Sequence, residues 1–288
     1  MRRFLFLSLF ATFMAPWVYA QREENEIACQ AGRDDNEPHK KKLWDRYEIS
    51  LGPARNAAET DDECTAAIYN KAGKVVFRTN GFSVVLDEDA TGEDFDGDGK
   101  PDVVFRTDTG GGMHCCWEYI VYSLSPQPHK LFELAKNGKV DMEKDKEGRM
   151  TIWHRTGGLM ILTSSMANRS FAEKVLQVRD GKITDVTAEF CGLSDDRFER
   201  YEPTPAALKK LTNAAQPSRY EDDVERIIGA LESRTLQHVY CQQFDEALKD
   251  FSLWPIEKRK IEIRGFADAL AKDYPEFAAK LRDMLKTN

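Results

Sequence analysis

The hydrophobic period of this 288-residue chain changes once, near residue 203, and that change sets the fold class. From about residue 44 to 190 apolar side chains recur with the two-residue period of strands: 64 to 69, 74 to 79, 82 to 86, 103 to 107, 114 to 124, 130 to 135, 150 to 155 and 172 to 178. Turn signals such as Asn70-Lys71-Ala72-Gly73, Asn137-Gly138 and Asp180-Gly181 separate nearly all of them. After residue 203 the period becomes helical. Val224, Ile227, Ile228, Leu231, Leu236, Val239 and Tyr240 trace one apolar face, and Pro255 and Pro275 divide the remainder into shorter helices. The expected fold is α+β: an antiparallel β domain at 44–195, built as a sheet or a sandwich, followed by a small helical module at 203–288 whose stripes form its own core.

Arg2 and Arg3 precede the apolar run Phe4 to Phe13 and the small-residue end Val18-Tyr19-Ala20, the pattern of a secretory signal peptide over 1–20. No later stretch approaches the ~20 apolar residues of a membrane-spanning helix. Glu26, three residues before Cys29, spoils the apolar context of a lipid-attachment site. The expected location is outside the cytoplasm, periplasmic or extracellular. Residues 21–43 are charged and read as a flexible arm pinned near Cys29. The formal net charge is −8, and removing a leader with two arginines and no acid makes the chain more acidic still. Nucleic acid and anionic lipid are therefore poor partners, since binding either depends on a basic face.

Six cysteines in an exported chain imply up to three disulfides, with fifteen possible pairings. Cys115 and Cys116, if they lie in a strand, point to opposite faces and reach two different partners, for which Cys29 and Cys64 are the candidates. Cys191 and Cys241 would then staple the two halves. The rival arrangement is a bond between the adjacent Cys115 and Cys116, which would be redox-labile.

The run Asp94-Phe95-Asp96-Gly97-Asp98-Gly99-Lys100-Pro101-Asp102 places carboxylates at positions 1, 3, 5 and 9 of a glycine-hinged loop. Calcium takes six to eight oxygens, and side-chain oxygens at alternate residues of a tight turn curl around one point. The candidate ligands are Asp94, Asp96, Asp98 and Asp102 with the backbone carbonyl of Lys100, and the candidate cofactor is Ca2+. Residues 141–149 repeat acids at positions 1, 3 and 5 but lack the glycines, and Arg149 stands where the fourth acid would be, so they read as a decayed copy or a polar hairpin.

With Val103-Val104-Phe105 following it, the loop resembles the calcium loop of FG-GAP or VCBS-type repeats. It differs from an EF-hand, which needs a glutamate at position 12 and a helix after the loop. The continuation Thr109-Gly110-Gly111-Gly112-Met113-His114-Cys115-Cys116-Trp117 resembles a run in uncharacterised exported bacterial proteins. The resemblance spans roughly residues 60 to 160 and implies a calcium-stabilised β domain with degenerate FG-GAP-like repeats, without implying a reaction. One clear loop and one decayed copy do not supply the blades of a closed propeller.

The Gly110 to Cys116 segment reads as a shaped strand start with cross-linking cysteines, and His114, His129, His154 and His238 show no metalloprotease spacing. Three functions follow. The first is a non-enzymatic secreted or periplasmic calcium-binding protein whose surface binds a protein or glycan. The second is a secreted hydrolase with its site between the two parts. The third is an adaptor that recruits a protein partner through the C-terminal helices.

Overall fold

The computed structural model describes residues 27–31, 38–44, 47–54, 63–108, 117–135, 140–157, 161, 171–191, 204–213 and 222–287. The leader expected at 1–20 and the Gly110 to Cys116 segment lie outside them.

Thirteen described strands form three antiparallel sheets. The central sheet has the order β1-β6-β7-β8-β9, with β1 at Ala28–Gln30, β6 at Ser83–Leu86, β7 at Asp102–Asp108, β8 at Trp117–Ser123 and β9 at His129–Ala135. On one face lies β2-β3-β4-β5, with β2 at His39–Leu43, β3 at Tyr47–Pro53, β4 at Cys64–Asn70 and β5 at Val75–Gly81. On the other lies β10-β11-β12-β13, at Val140–Lys144, Met150–Gly157, Phe171–Arg179 and Lys182–Asp185. The architecture is α+β, with helices following the sheets.

The central sheet is covered on both faces, which explains why β7 is apolar without alternation. Val103 and Phe105 point into a core shared with Ile49, Leu51, Ala66 and Ile68 of β3 and β4. Val104, one residue out of phase, points into a second core with Met150, Ile152 and Leu176 of β11 and β12. The opposite face of the third sheet carries Trp153 and Val175 toward the helical part.

The helices are α1 at Thr187–Phe190, α2 at Pro205–Asn213, α3 at Asp222–Tyr240, α4 at Phe244–Asp250, α5 at Ile256–Ala269 and α6 at Pro275–Thr287, with a 3-10 turn at Phe251–Leu253. The stripe expected from Val224 to Tyr240 is one continuous helix, and Pro255 and Pro275 fall at the two expected helix starts. Trp254, Phe251, Phe266 and Phe277 are fully or almost fully buried among these helices. The helical core also includes Ala172 of β12, and Gln237 of α3 accepts the Glu173 amide at 2.9 Å. Helices and third sheet therefore share an interface.

Two expectations are corrected. Residues 28–30 and 39–43, read as parts of a flexible arm, are strands: β1 pairs with β6, and β2 pairs with β3 through a full five-residue register. Ladder hydrogen bonds come from the backbone and need no apolar side chains, and the lysines of β2 sit at a sheet edge, where charge is common. Lys41 pairs there with Glu88. The second correction concerns Cys29 and Cys64, which bond to each other with Cα atoms 5.7 Å apart. β1 belongs to the central sheet and β4 to its neighbour, so this bond crosses the core between the two sheets. Cys191 and Cys241 pair as expected, Cα to Cα 5.7 Å, and join the end of α1 to the end of α3. Cys115 and Cys116 lie outside the described residues.

The helical core contains one arrangement that the apolar stripe conceals. Glu232 of α3 and Glu262 of α5 are both fully buried. Burial, and then the adjacent Glu232 carboxyl, hold Glu262 well above the ordinary carboxylate range. An acid whose folded-state pKa is raised contributes stability that is fully present below its unfolded value and is lost as the pH rises through the folded value. Glu262→Gln keeps the shape and removes the charge. It is expected to raise stability at pH 8 by about 1 to 3 kcal/mol and to leave pH 5 nearly unchanged. Urea midpoints at the two pH values check this, and an unchanged pH dependence in the variant would contradict it.

Candidate metal site

The 15 residues from Asp87 to Pro101 connect β6 to β7, and three kinds of contact shape them. Asp87 starts the turn by accepting the Ala90 amide at 3.0 Å. The loop closes on the first residue of β7: the Gly92 amide donates to the Asp102 carbonyl at 2.8 Å and the Asp102 amide to the Glu93 carbonyl at 2.8 Å. Phe95 then anchors the loop to the core. It is 3% exposed and meets Phe132 of β9 edge to face at 6.1 Å.

Gly97 and Gly99 have φ of 78° and 77°, the left-handed region where a side chain is strained. Both turns fold the chain back over Asp94, whose two carboxylate oxygens accept the Gly97 and Gly99 amides at 2.7 and 2.8 Å. Asp96 accepts the Asp98 amide at 3.1 Å. In consequence one oxygen from each of Asp94, Asp96 and Asp102 lies within 4.8 Å of the other two.

Of the four aspartates singled out from the sequence, these three come together. Asp98 is exposed, and its carboxylate accepts the Lys100 amide at 2.7 Å. Lys100, named for its backbone carbonyl, is also exposed. The alternate-residue pattern could not separate them, because Asp98 and Asp96 differ only in which side of a glycine turn they occupy.

Asp102 is the residue that gives the group its chemistry. It is 0% exposed, held at the start of a strand that is buried on both faces. Oδ2 accepts the Phe95 amide at 2.8 Å, while Oδ1 is buried with no hydrogen-bond partner. Burial pushes this carboxyl up to about 7; the Phe95 amide opposes that shift, as does the nearby Ser123 hydroxyl, whose proton is directed to the Ser125 carbonyl at 3.1 Å, and the charges of Asp96 and Asp94 add to it. Asp96 is raised as well, by burial first and then by the charges of Asp98 and Asp94, against the Asp98 amide bond. Three carboxylates this close repel one another when ionised, and a cation between them reverses the sign of the interaction. The donor set is all oxygen, which suits a hard cation.

The segment 141–149 is built differently. Asp141 and Glu143 lie in β10. Asp145 accepts the Arg149 amide at 2.8 Å, the Arg149 Nε at 2.8 Å and the Gln177 amide at 2.8 Å. Burial alone would raise its pKa, but these bonds hold it below the usual carboxylate value. Its oxygens are committed to protein donors, and Asp94, Asp96 and Asp102 are the only such acidic group among the described residues.

No family model, curated protein or solved structure matches the chain.

Proposed function

We infer that this is an exported calcium-binding protein in which the ion locks the loop between β6 and β7, and that the chain acts as a binding or structural module. The observation that carries the reading is the fully buried Asp102, which has one oxygen without a hydrogen-bond partner and brings an oxygen to within 4.8 Å of the Asp94 and Asp96 carboxylates. A buried acceptor left without a donor is costly, and a cation satisfies it together with its two neighbours. Calcium suits the site better than magnesium, because a flexible loop of carboxylates and carbonyls meets its loose coordination more readily than a strict octahedron. The resemblance to FG-GAP or VCBS-type loops supports the same ion.

The ion would act on the centre of the molecule. Asp102 begins β7, the middle strand of the central sheet, and Phe95 joins the loop to the core beside it. Export is supported by the leader-like start and by two disulfides, which persist in oxidising compartments. No helix among the described residues is long and apolar enough to cross a membrane.

Calorimetric titration of residues 21–288 with calcium tests the reading. One ion per chain is expected, lost in Asp94→Ala and kept in Asp141→Ala. Equal effects of the two changes would overturn it.

A further inference from the structure

The sheet β2-β3-β4-β5 has an outer face turned away from the core. Side chains alternate along its strands, so while Ile49, Leu51, Ala66 and Ile68 fill the inner side, their neighbours line a groove of about 1160 Å³ on the other. The register explains its shape. Lys40 lies opposite Ser50, Ser50 opposite Ala67, and Ala67 opposite Arg78; the next row runs Gly52, Thr65, Asn80. The small residues Gly52 and Ala67 fall on the two inner strands and the long cations on the two edge strands. The result is a trough with a low floor, lined by four cations, Lys40, Lys42, Lys71 and Arg78, against two acids, Glu48 and Glu63.

Its charge is opposite to that of the chain. Lys40 pairs with Glu48 at 3.4 Å, but Lys42 and Arg78, exposed on opposite walls, have no ion pair or side-chain hydrogen bond among the described residues. In a protein of net charge −8, two unpaired cations facing one trough attract a negatively charged ligand. The floor carries hydroxyls that both donate and accept, those of Ser50 and Thr65, and at its edge Asn80 accepts from Thr65 through Oδ1 at 2.9 Å. Half-buried Tyr69 adds a flat ring in the row of Lys42 and Glu48.

We propose that this trough binds an acidic oligosaccharide, resting on the reading of the chain as a binding module. Sugar hydroxyls donate and accept as the floor does, a pyranose face stacks on Tyr69, and uronate carboxylates meet Lys42 and Arg78. A peptide would need apolar recesses for anchor side chains, which a floor of Gly, Ala, Ser and Thr does not provide.

The test uses residues 21–288 in calcium, with tetrasaccharides of galacturonate, glucuronate and mannuronate, a neutral galactose tetrasaccharide and a tetraglutamate peptide as probes. At least one uronate is expected to bind, with the neutral sugar and the peptide weaker by about tenfold or more. Lys42→Gln/Arg78→Gln is expected to lose about tenfold in affinity with an unchanged melting temperature. No uronate binding, preference for the peptide, or equal binding by the double variant would overturn the proposal. Calcium titration of the same sample separates the two readings: an ion bound without uronate affinity sinks the trough alone, whereas failure to bind calcium sinks the ion-locked module.

Discussion

Replacing Asp102 by Asn should split the protein's stability by condition. In chelator the variant melts at or above the wild type, and in calcium it melts below. The wild-type carboxyl is buried with a raised pKa of about 7, against an ordinary value of 3.8. Without an ion the stability linked to it is fully present below the unfolded value and is lost as the pH rises through about 7. Asn removes that loss while keeping the acceptor for the Phe95 amide. It also removes a charge that would hold the proposed cation. Binding to the folded state alone stabilises by about 2.7 kcal/mol at a hundredfold excess of ligand over Kd, and the variant should forfeit most of that gain. Melting curves at pH 8, with and without calcium, read both halves. A variant destabilised equally in the two conditions would show that Asp102 serves only the fold.

Removing the Cys191 to Cys241 bond should have an effect of similar size and no dependence on the ion. The bond closes a 50-residue separation, and in the chain-entropy account a loop of that length stabilises by about 4 kcal/mol. It also ties α1 and β12 to the end of α3, where Trp153, Val175 and Phe190 pack around it. Cys191→Ala/Cys241→Ala is therefore expected to lose about 2 to 4 kcal/mol, and to let the helices unfold ahead of the sheets. Far-ultraviolet and near-ultraviolet circular dichroism, followed together on heating, would show two separated transitions. The calcium-induced shift should persist for the sheet transition. A single unshifted transition would mean that packing alone joins the two parts.

What the sequence disclosed follows from burial. β7 and β8 were legible because both of their faces are covered, and α3 because its stripe is long. The strands that escaped were chiefly edges: β1, β2, β10 and β13 each end a sheet, and β2 and β13 carry charge where a central strand would be apolar. Pairing on one side satisfies such a strand without writing a hydrophobic period into it. β3 is interior and alternates as Tyr47, Ile49 and Leu51, so its signal was present. The acidic loop was legible as a spacing, but the spacing could not show that Asp102 is buried while Asp98 is exposed. That depends on β7 lying at the middle of the stack. Glu232 and Glu262 illustrate the opposite limit, since a glutamate on the core side of a helix looks like any surface acid until the partner helix is placed. Glu232, four residues after Ile228 and three before Thr235, was the available signal.

The central claim is that one cation locks the β6 to β7 loop to the core. Its most direct test is the melting temperature of residues 21–288 in calcium, in magnesium and in chelator at constant ionic strength. The account predicts a rise in calcium that magnesium does not match and that chelator reverses. Identical melting in all three conditions would contradict it, leaving three acidic side chains arranged by loop hydrogen bonds alone.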